Sequence, residues 1–152
     1  MAMPMSLSTR SAMVAYTGGR PFDAALPCVV FIHGALNDHS VWTLAARWCA
    51  HHGHGVLAVD LPGHGRSAGP ALPDVEAMAD AVLALLAEHG VQQAALVGHS
   101  MGSLIALEAA SRAAPGLVSH LVMVGTAYPM RVSPALLATA AQEPLAAIDQ
   151  VV

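Results

Sequence analysis

Lysine is absent from this 152-residue chain; all six basic residues are arginine. A Walker-type phosphate loop, Schiff-base catalysis and a serine–lysine dyad all need that amine, so all three are excluded. Charge is scarce at 11% of residues, and a net charge of −4 without any basic stripe argues against nucleic acid as a partner. Long apolar runs are missing as well. "CVVFI" and "VLALLA" are of core length, far short of the roughly 18 residues that a membrane span needs. The first twenty residues lack the continuous apolar stretch and cleavage pattern of an export signal, so the cytoplasm is the expected compartment and no membrane partner is expected. Cysteine is limited to Cys28 and Cys49, both inside apolar segments and without paired spacing, which reads as buried thiols.

What the chain has is a 55% hydrophobic share, which suits strands buried on both faces. Its length fits one domain. A weak strand near 13–16 precedes strands predicted at 28–33, 56–60, 94–97 and 121–124. Helices are predicted between them, one running to about His52 with Val41, Leu44, Ala45 and Trp48 on one side. A second is capped by Asp74 and carries the core stripe Val75, Met78, Ala79, Val82, Leu83 and Leu86; a third spans 101–114. This alternation predicts an α/β fold, a mostly parallel sheet with helices on both faces. Beyond Pro129 the pattern is helical, broken at Pro134 and Pro144, with no further strand.

The most informative stretch is "LVGHSMGS", residues 96–103, where a predicted strand runs straight into a helix through Gly98-His99-Ser100-Met101-Gly102. A serine at such a junction needs a tight, strained turn, and its neighbours two places away must be small to clear the adjoining strand and helix. The turn lifts the hydroxyl off the C-terminal edge of the sheet. It also sets the hydroxyl at a helix N-terminus, whose free N–H groups favour developing negative charge. Packing or capping alone can also place small residues around a serine.

This pattern, G-x-S-x-G, resembles the nucleophile elbow of the α/β-hydrolase family. So do "VVFIHG", ending in His33-Gly34; "AVDLPGHGRS", Ala58 to Ser67; and Trp42, at a position often aromatic in that family. The resemblance covers about residues 9 to 128. It implies Ser100 as nucleophile toward an ester or related small acyl substrate, through an acyl-enzyme. It implies an oxyanion hole from the backbone N–H groups of Ala35 and Met101, with Gly98, His99, Gly102, His33 and Gly34 shaping elbow and turn. No cofactor and no metal are implied. A serine at the elbow argues against dehalogenases and epoxide hydrolases, whose nucleophile there is aspartate. Carboxylester, thioester, lactone and carbon–carbon cleavage stay open, as do a non-catalytic binding protein that keeps the elbow as a relic and a cofactor-free lyase or oxygenase.

Other constellations read as structural. "AHHGHG" (His51, His52, His54) straddles a helix end without a carboxylate or thiolate beside it, so a metal site is not expected. Gly63 to Ala68 fits a loose dinucleotide pattern, but Gly69, Pro70 and Pro73 follow where a helix should open. Glu108 and Arg112 read as an exposed helix-face pair.

A serine hydroxyl needs a base, and the base needs a carboxylate to orient it. The family's chain order is serine, acid, histidine. After Ser100 the one histidine is His120, at the start of the last predicted strand and at the wrong edge of the sheet. Of the acids after Ser100, Glu143 and Asp149 have no histidine after them, and Glu108 is followed only by His120. The sequence therefore reads as the front portion of a hydrolase, with 1–127 as core and 128–152 as the start of a helical lid, truncated before its acid and base. Self-association through the exposed last strand is a further expectation.

Overall fold

A computed structural model of the chain describes residues 13–151. Residues 1–12, which hold much of the segment read as lacking an export signal, and Val152 lie outside the described part. In chain order the elements are β1 (Ala15–Tyr16), β2 (Cys28–Ile32), α1 (Thr43–His51), β3 (Gly55–Val59), α2 (Val75–Glu88), β4 (Ala94–His99), α3 (Met101–Arg112), β5 (Val118–Val124), α4 (Pro134–Gln142) and α5 (Pro144–Val151). A 3-10 turn, His39–Trp42, leads into α1. No helix among the described residues is long and apolar enough to cross a membrane.

The strands form one sheet in the order β1-β3-β2-β4-β5. β2 pairs in parallel with both β3 and β4, β4 pairs in parallel with β5, and only β1 runs antiparallel. Period-two alternation sends neighbouring residues of a strand to opposite faces. Val30 and Ile32 of β2, with Leu57, Val59 and Leu96, join α2 and α3 through Val82, Leu86, Ile105 and Ala109. Phe31, Val56 and Ala58 face the other way, onto Ala46 and Ala50 of α1. Helices thus cover both faces, as the alternation of strand and helix predicts. From β2 the chain crosses to β3 on one side and then to β4 on the other. The order reverses there, and in open parallel sheets a crevice forms beyond the strand ends at such a reversal.

The stripe on α2 is buried as expected, at Met78, Ala79, Val82, Leu85 and Leu86. Asp74 caps the helix by accepting from Ala77 N at 2.8 Å. Pro134 and Pro144 stand at the first positions of α4 and α5, where a missing N–H does no harm. The reading of α1 needs correction. Val41, Leu44 and Trp48 are exposed, Leu44 at 85%, and the buried face is Ala46 and Ala50. The 3-10 turn takes Val41 out of the helical phase, while within α1 the small residues Ala46 and Ala50 form the face that packs on the sheet and Leu44 and Trp48 share the outer one. Cys28 is buried, and burial pushes its thiol up to about 11; Cys49 is half-buried.

β5 begins at Val118, three residues earlier than its apolar core at 121–124 predicts. No strand among the described residues pairs with its outer edge. Val122 and Val124 remain 45% and 44% exposed. An open edge beside exposed apolar side chains is a template for another chain. We propose that this edge mediates self-association. Sedimentation velocity over a concentration series should show growing assemblies, and Val122→Lys should shift the chain toward monomer. A concentration-independent monomer in the unsubstituted protein would contradict this.

Candidate active site

The elbow stands at the reversal of strand order. Gly98, in β4, is in register with Ile32, the last residue of β2. Two residues later Ser100 turns with φ 54° and ψ −121°, a left-handed conformation uncommon outside glycine, and α3 begins at Met101. The turn is tied on three sides. Ser100 N donates to Val124 O at 2.9 Å, Ser103 N donates to Ser100 O at 2.9 Å, and the buried Ser103 hydroxyl donates to the same carbonyl at 2.5 Å.

The two flanking glycines are there for close approach. A Cβ on Gly98 would run into the Gly102 carbonyl and stand 2.6 Å from Ser103 N. One on Gly102 would meet the Ile32 carbonyl and lie 2.5 Å from His33 O. The start of α3 is therefore pressed against the end of β2. This brings the His33-Gly34 turn beside the serine: a Cβ on Gly34 would be 3.3 Å from Ser100 Cβ. Ala35, next in the chain, is exposed, and its amide donates to no described backbone carbonyl. Met101 is the first residue of α3, so its N–H has no intrahelical acceptor, and no side chain caps it. An uncapped helix-start N–H thus follows a strained serine, with the turn that leads into Ala35 packed beside it, an arrangement able to hold an oxyanion.

His33 is fully buried and does not face the serine hydroxyl. Its Nδ1 donates to Gly34 O at 2.7 Å and its Nε2 accepts from Leu61 N at 3.1 Å, which sets one neutral tautomer. Burial, the largest influence, pushes the imidazole below its ordinary 6.5, against the opposing pull of the Gly34 carbonyl. His99 packs near the Gly34 and Gly125 backbones: Cβ atoms there would stand 3.3 Å from its Nδ1 and 3.4 Å from its Nε2. With Val41, Trp42 and Val124 it lines a small cavity. Trp42 packs on Phe31, ring centroids 5.1 Å apart. His120 pairs with Ala95, four residues before His99 and so about 13 Å along the strand from the elbow. Its Nδ1 bonds Ser119 Oγ at 3.1 Å.

The motif after β3 has a physical account that the sequence did not supply. Asp60 is buried and accepts three hydrogen bonds, from His39 N at 2.7 Å, from the His39 ring at 2.9 Å and from Arg66 N at 2.9 Å. Burial alone would raise its carboxyl; the bonds from Arg66 and His39 outweigh that and hold it below 3.8. Gly65 must lack a Cβ, which would stand 2.5 Å from that carboxylate. Ser67 donates to Asp60 O at 2.5 Å and accepts from Val14 N at 2.8 Å. Asp38, His39 and Asp60 are the one metal-competent cluster among the described residues. Asp60 is already saturated there, and Asp38 caps Ser40 N at 2.8 Å.

The other sequence candidates are structural. His51 accepts from Arg20 Nε at 3.3 Å, His52 donates to Trp48 O at 2.6 Å, and His54 lies 3.3 Å from Cys49 O, so the three rings do not converge. Residues 63–68 form turns, and no helix opens before Val75. Arg112 pairs with Glu108 at 2.6 Å and also reaches Asp80 at 3.1 Å. The contact that sequence reasoning missed is at Ser100 itself. The Ser100 hydroxyl points at Met130 Sδ, 3.8 Å away, and nothing in the pattern around Met130 signals this.

Two outcomes follow from this geometry. Gly102→Ala should lower unfolding stability by more than about 3 kcal/mol, since backbone on both sides must move; a loss under about 1 kcal/mol in urea would contradict the close approach. Both shifted groups bind protons more readily unfolded than folded, so stability falls with acidification. His33 contributes fully above pH 6.5 and loses that contribution as pH drops below it; Asp60 does the same below pH 3.8. His33→Asn, which titrates nothing, should flatten the first decline in urea midpoint against pH and leave the second.

Comparison with known proteins agrees with this geometry. The chain is 44% identical over 95 residues to the pimeloyl-[acyl-carrier protein] methyl ester esterase of Chromobacterium violaceum, an alignment spanning 62% of this chain and 33% of that protein. It is 30% identical over 103 residues to the 2-succinyl-6-hydroxy-2,4-cyclohexadiene-1-carboxylate synthase of Serratia proteamaculans, over 68% of this chain and 40% of that one. Among solved structures, an esterase from Exiguobacterium antarcticum superposes with a TM-score of 0.75 at 22% identity, covering 91% of this chain and 55% of the other. The chain therefore spans 33–40% of the length of these sequence relatives. Residues 27–150 match the family described as the alpha/beta hydrolase fold, and this chain belongs to that family.

Proposed function

We propose that this chain is the nucleophile-bearing portion of a serine hydrolase acting on an ester or related acyl substrate. Ser100 Oγ attacks the carbonyl carbon, and its proton passes to a base. The tetrahedral oxyanion accepts from the amides of Met101 and Ala35. Collapse then expels the alcohol, which takes up a proton, and leaves Ser100 acylated for hydrolysis. The observation that carries this reading is the strained, positive-φ serine at the strand-order reversal, at the uncapped start of α3 and beside the His33-Gly34 turn. The esterase relative supports the substrate class, and the relative named as a synthase keeps non-hydrolytic chemistry in view. The segment 128–152, with α4 and α5, fits the start of a lid, and the cytoplasm fits as the compartment.

No described histidine hydrogen-bonds the Ser100 hydroxyl, so the reading requires a base, and an acid to orient it, from beyond these contacts. A serine without its base keeps oxyanion stabilisation and binding, about 10³- to 10⁴-fold over water in proteases stripped of a triad member. The chain alone should therefore turn over p-nitrophenyl acetate slowly. Excess imidazole should raise the rate, and Ser100→Ala should abolish the increment beyond imidazole's own hydrolysis. The thioether partner of the hydroxyl favours a second reading, a binding protein that keeps the elbow without catalysis. Equal rates for Ser100→Ala and the unsubstituted chain in imidazole would select that reading and refute the first.

A further inference from the structure

The chain between β5 and α4 touches the rest of the molecule in an unusual way. Residues 124–129 and 131–135 are all exposed, Tyr128 at 91%, whereas Met130 between them is half-buried. Its side chain reaches the elbow and places Sδ 3.8 Å from Ser100 Oγ. A thioether is a weak acceptor and gives the hydroxyl little energy. What it does is occupy space. An acyl carbon must come within about 3–3.5 Å of the nucleophile in line for attack, and the Met130 side chain lies against that same oxygen.

From this contact we propose that Met130 is a specificity-determining residue, the movable wall of the acyl site, which admits short acyl groups beside it and hinders long ones. The inference rests on Ser100 being the nucleophile. Methionine suits the role: it is unbranched, with three rotatable bonds, so it yields to a small acyl group by a rotamer change. A longer chain must displace it altogether from the elbow. Its neighbours in the segment are solvent-exposed and oppose that displacement little, so the discrimination is set by the side chain's volume.

The test compares the Ser100-dependent, imidazole-assisted hydrolysis of p-nitrophenyl acetate and p-nitrophenyl octanoate. It uses the unsubstituted chain, Met130→Ala and Met130→Leu, with Ser100→Ala in each background as the blank. Met130→Ala should raise the octanoate-to-acetate rate ratio roughly tenfold or more, the scale on which apolar pockets discriminate added methylenes. Met130→Leu, close in volume, should leave the ratio near that of the unsubstituted chain and guards against a folding artefact in the alanine variant. An unchanged ratio in Met130→Ala, with measurable rates, overturns the wall but not the nucleophile. An equal shift in Met130→Leu also overturns it, because volume would then not be the cause. Absence of any Ser100-dependent rate with either ester removes the nucleophile and this inference with it.

Discussion

The contact on which the rest depends is backbone against backbone. The first turn of α3 lies so close to the end of β2 that Gly102 has the Ile32 and His33 carbonyls where a Cβ would go, while Gly98 has the Gly102 carbonyl. Side chains at either place would hold the helix away from the sheet. With the helix close, Ser100 is driven into its left-handed turn, and the His33-Gly34 turn is brought beside it. The strain of that turn, of order 1–3 kcal/mol, persists because Val124 O, Ser103 N and the Ser103 hydroxyl hold the Ser100 backbone from three directions. The placement of Ser100 is thus a property of the sheet's packing.

A second layer holds the turn opposite the serine. His33 bonds its own turn with one nitrogen and the chain after β3 with the other. Asp60, one residue before Leu61, gathers His39 and Arg66. Through Ser67 the same loop ties down Val14, next to β1. The turn beside the elbow and the loop after β3 are therefore cross-linked by buried, saturated polar groups. Breaking any one of these leaves a partner unsatisfied, which costs more than the bond itself contributes. Acid sensitivity and positional precision come from the same residues, since the neutral imidazole and the ionised carboxylate are the protonation states that fit.

Much of this was legible because local rules and global packing agree. Short continuous apolar runs such as Cys28 to Ile32, the Asp74 cap and the paired glycines around Ser100 each have one low-energy use, and the fold employs it. Helix α1 was misread because it packs through the small residues Ala46 and Ala50, while the larger apolar side chains Leu44 and Trp48, which a hydropathy pattern weights most, face outward. The role of Asp60 was hidden for a different reason. Its motif was visible as a resemblance, but the saturation of one carboxylate by donors from Arg66 and the distant His39 depends on where two loops meet in space. Met130 left no trace at all, because an apolar residue in an exposed segment carries no periodicity.

That contrast has a physical consequence for how the site divides its work. The elements that hold Ser100, β4 and α3, belong to the core of the sheet and its covering helix, the part of a fold that opens least readily. The segment after Val124 is exposed on both sides of Met130. Electrostatic stabilisation gains from the first kind of support, because its donors must be in place before charge develops. Discrimination among acyl groups gains from the second, because a wall that moves can be altered by one substitution while the turn beneath it stays unchanged. With Ser100 as the proposed nucleophile and Met130 as its proposed wall, a fixed elbow under a methionine from an exposed segment would separate the geometry that the fold holds constant from the selectivity that it can vary.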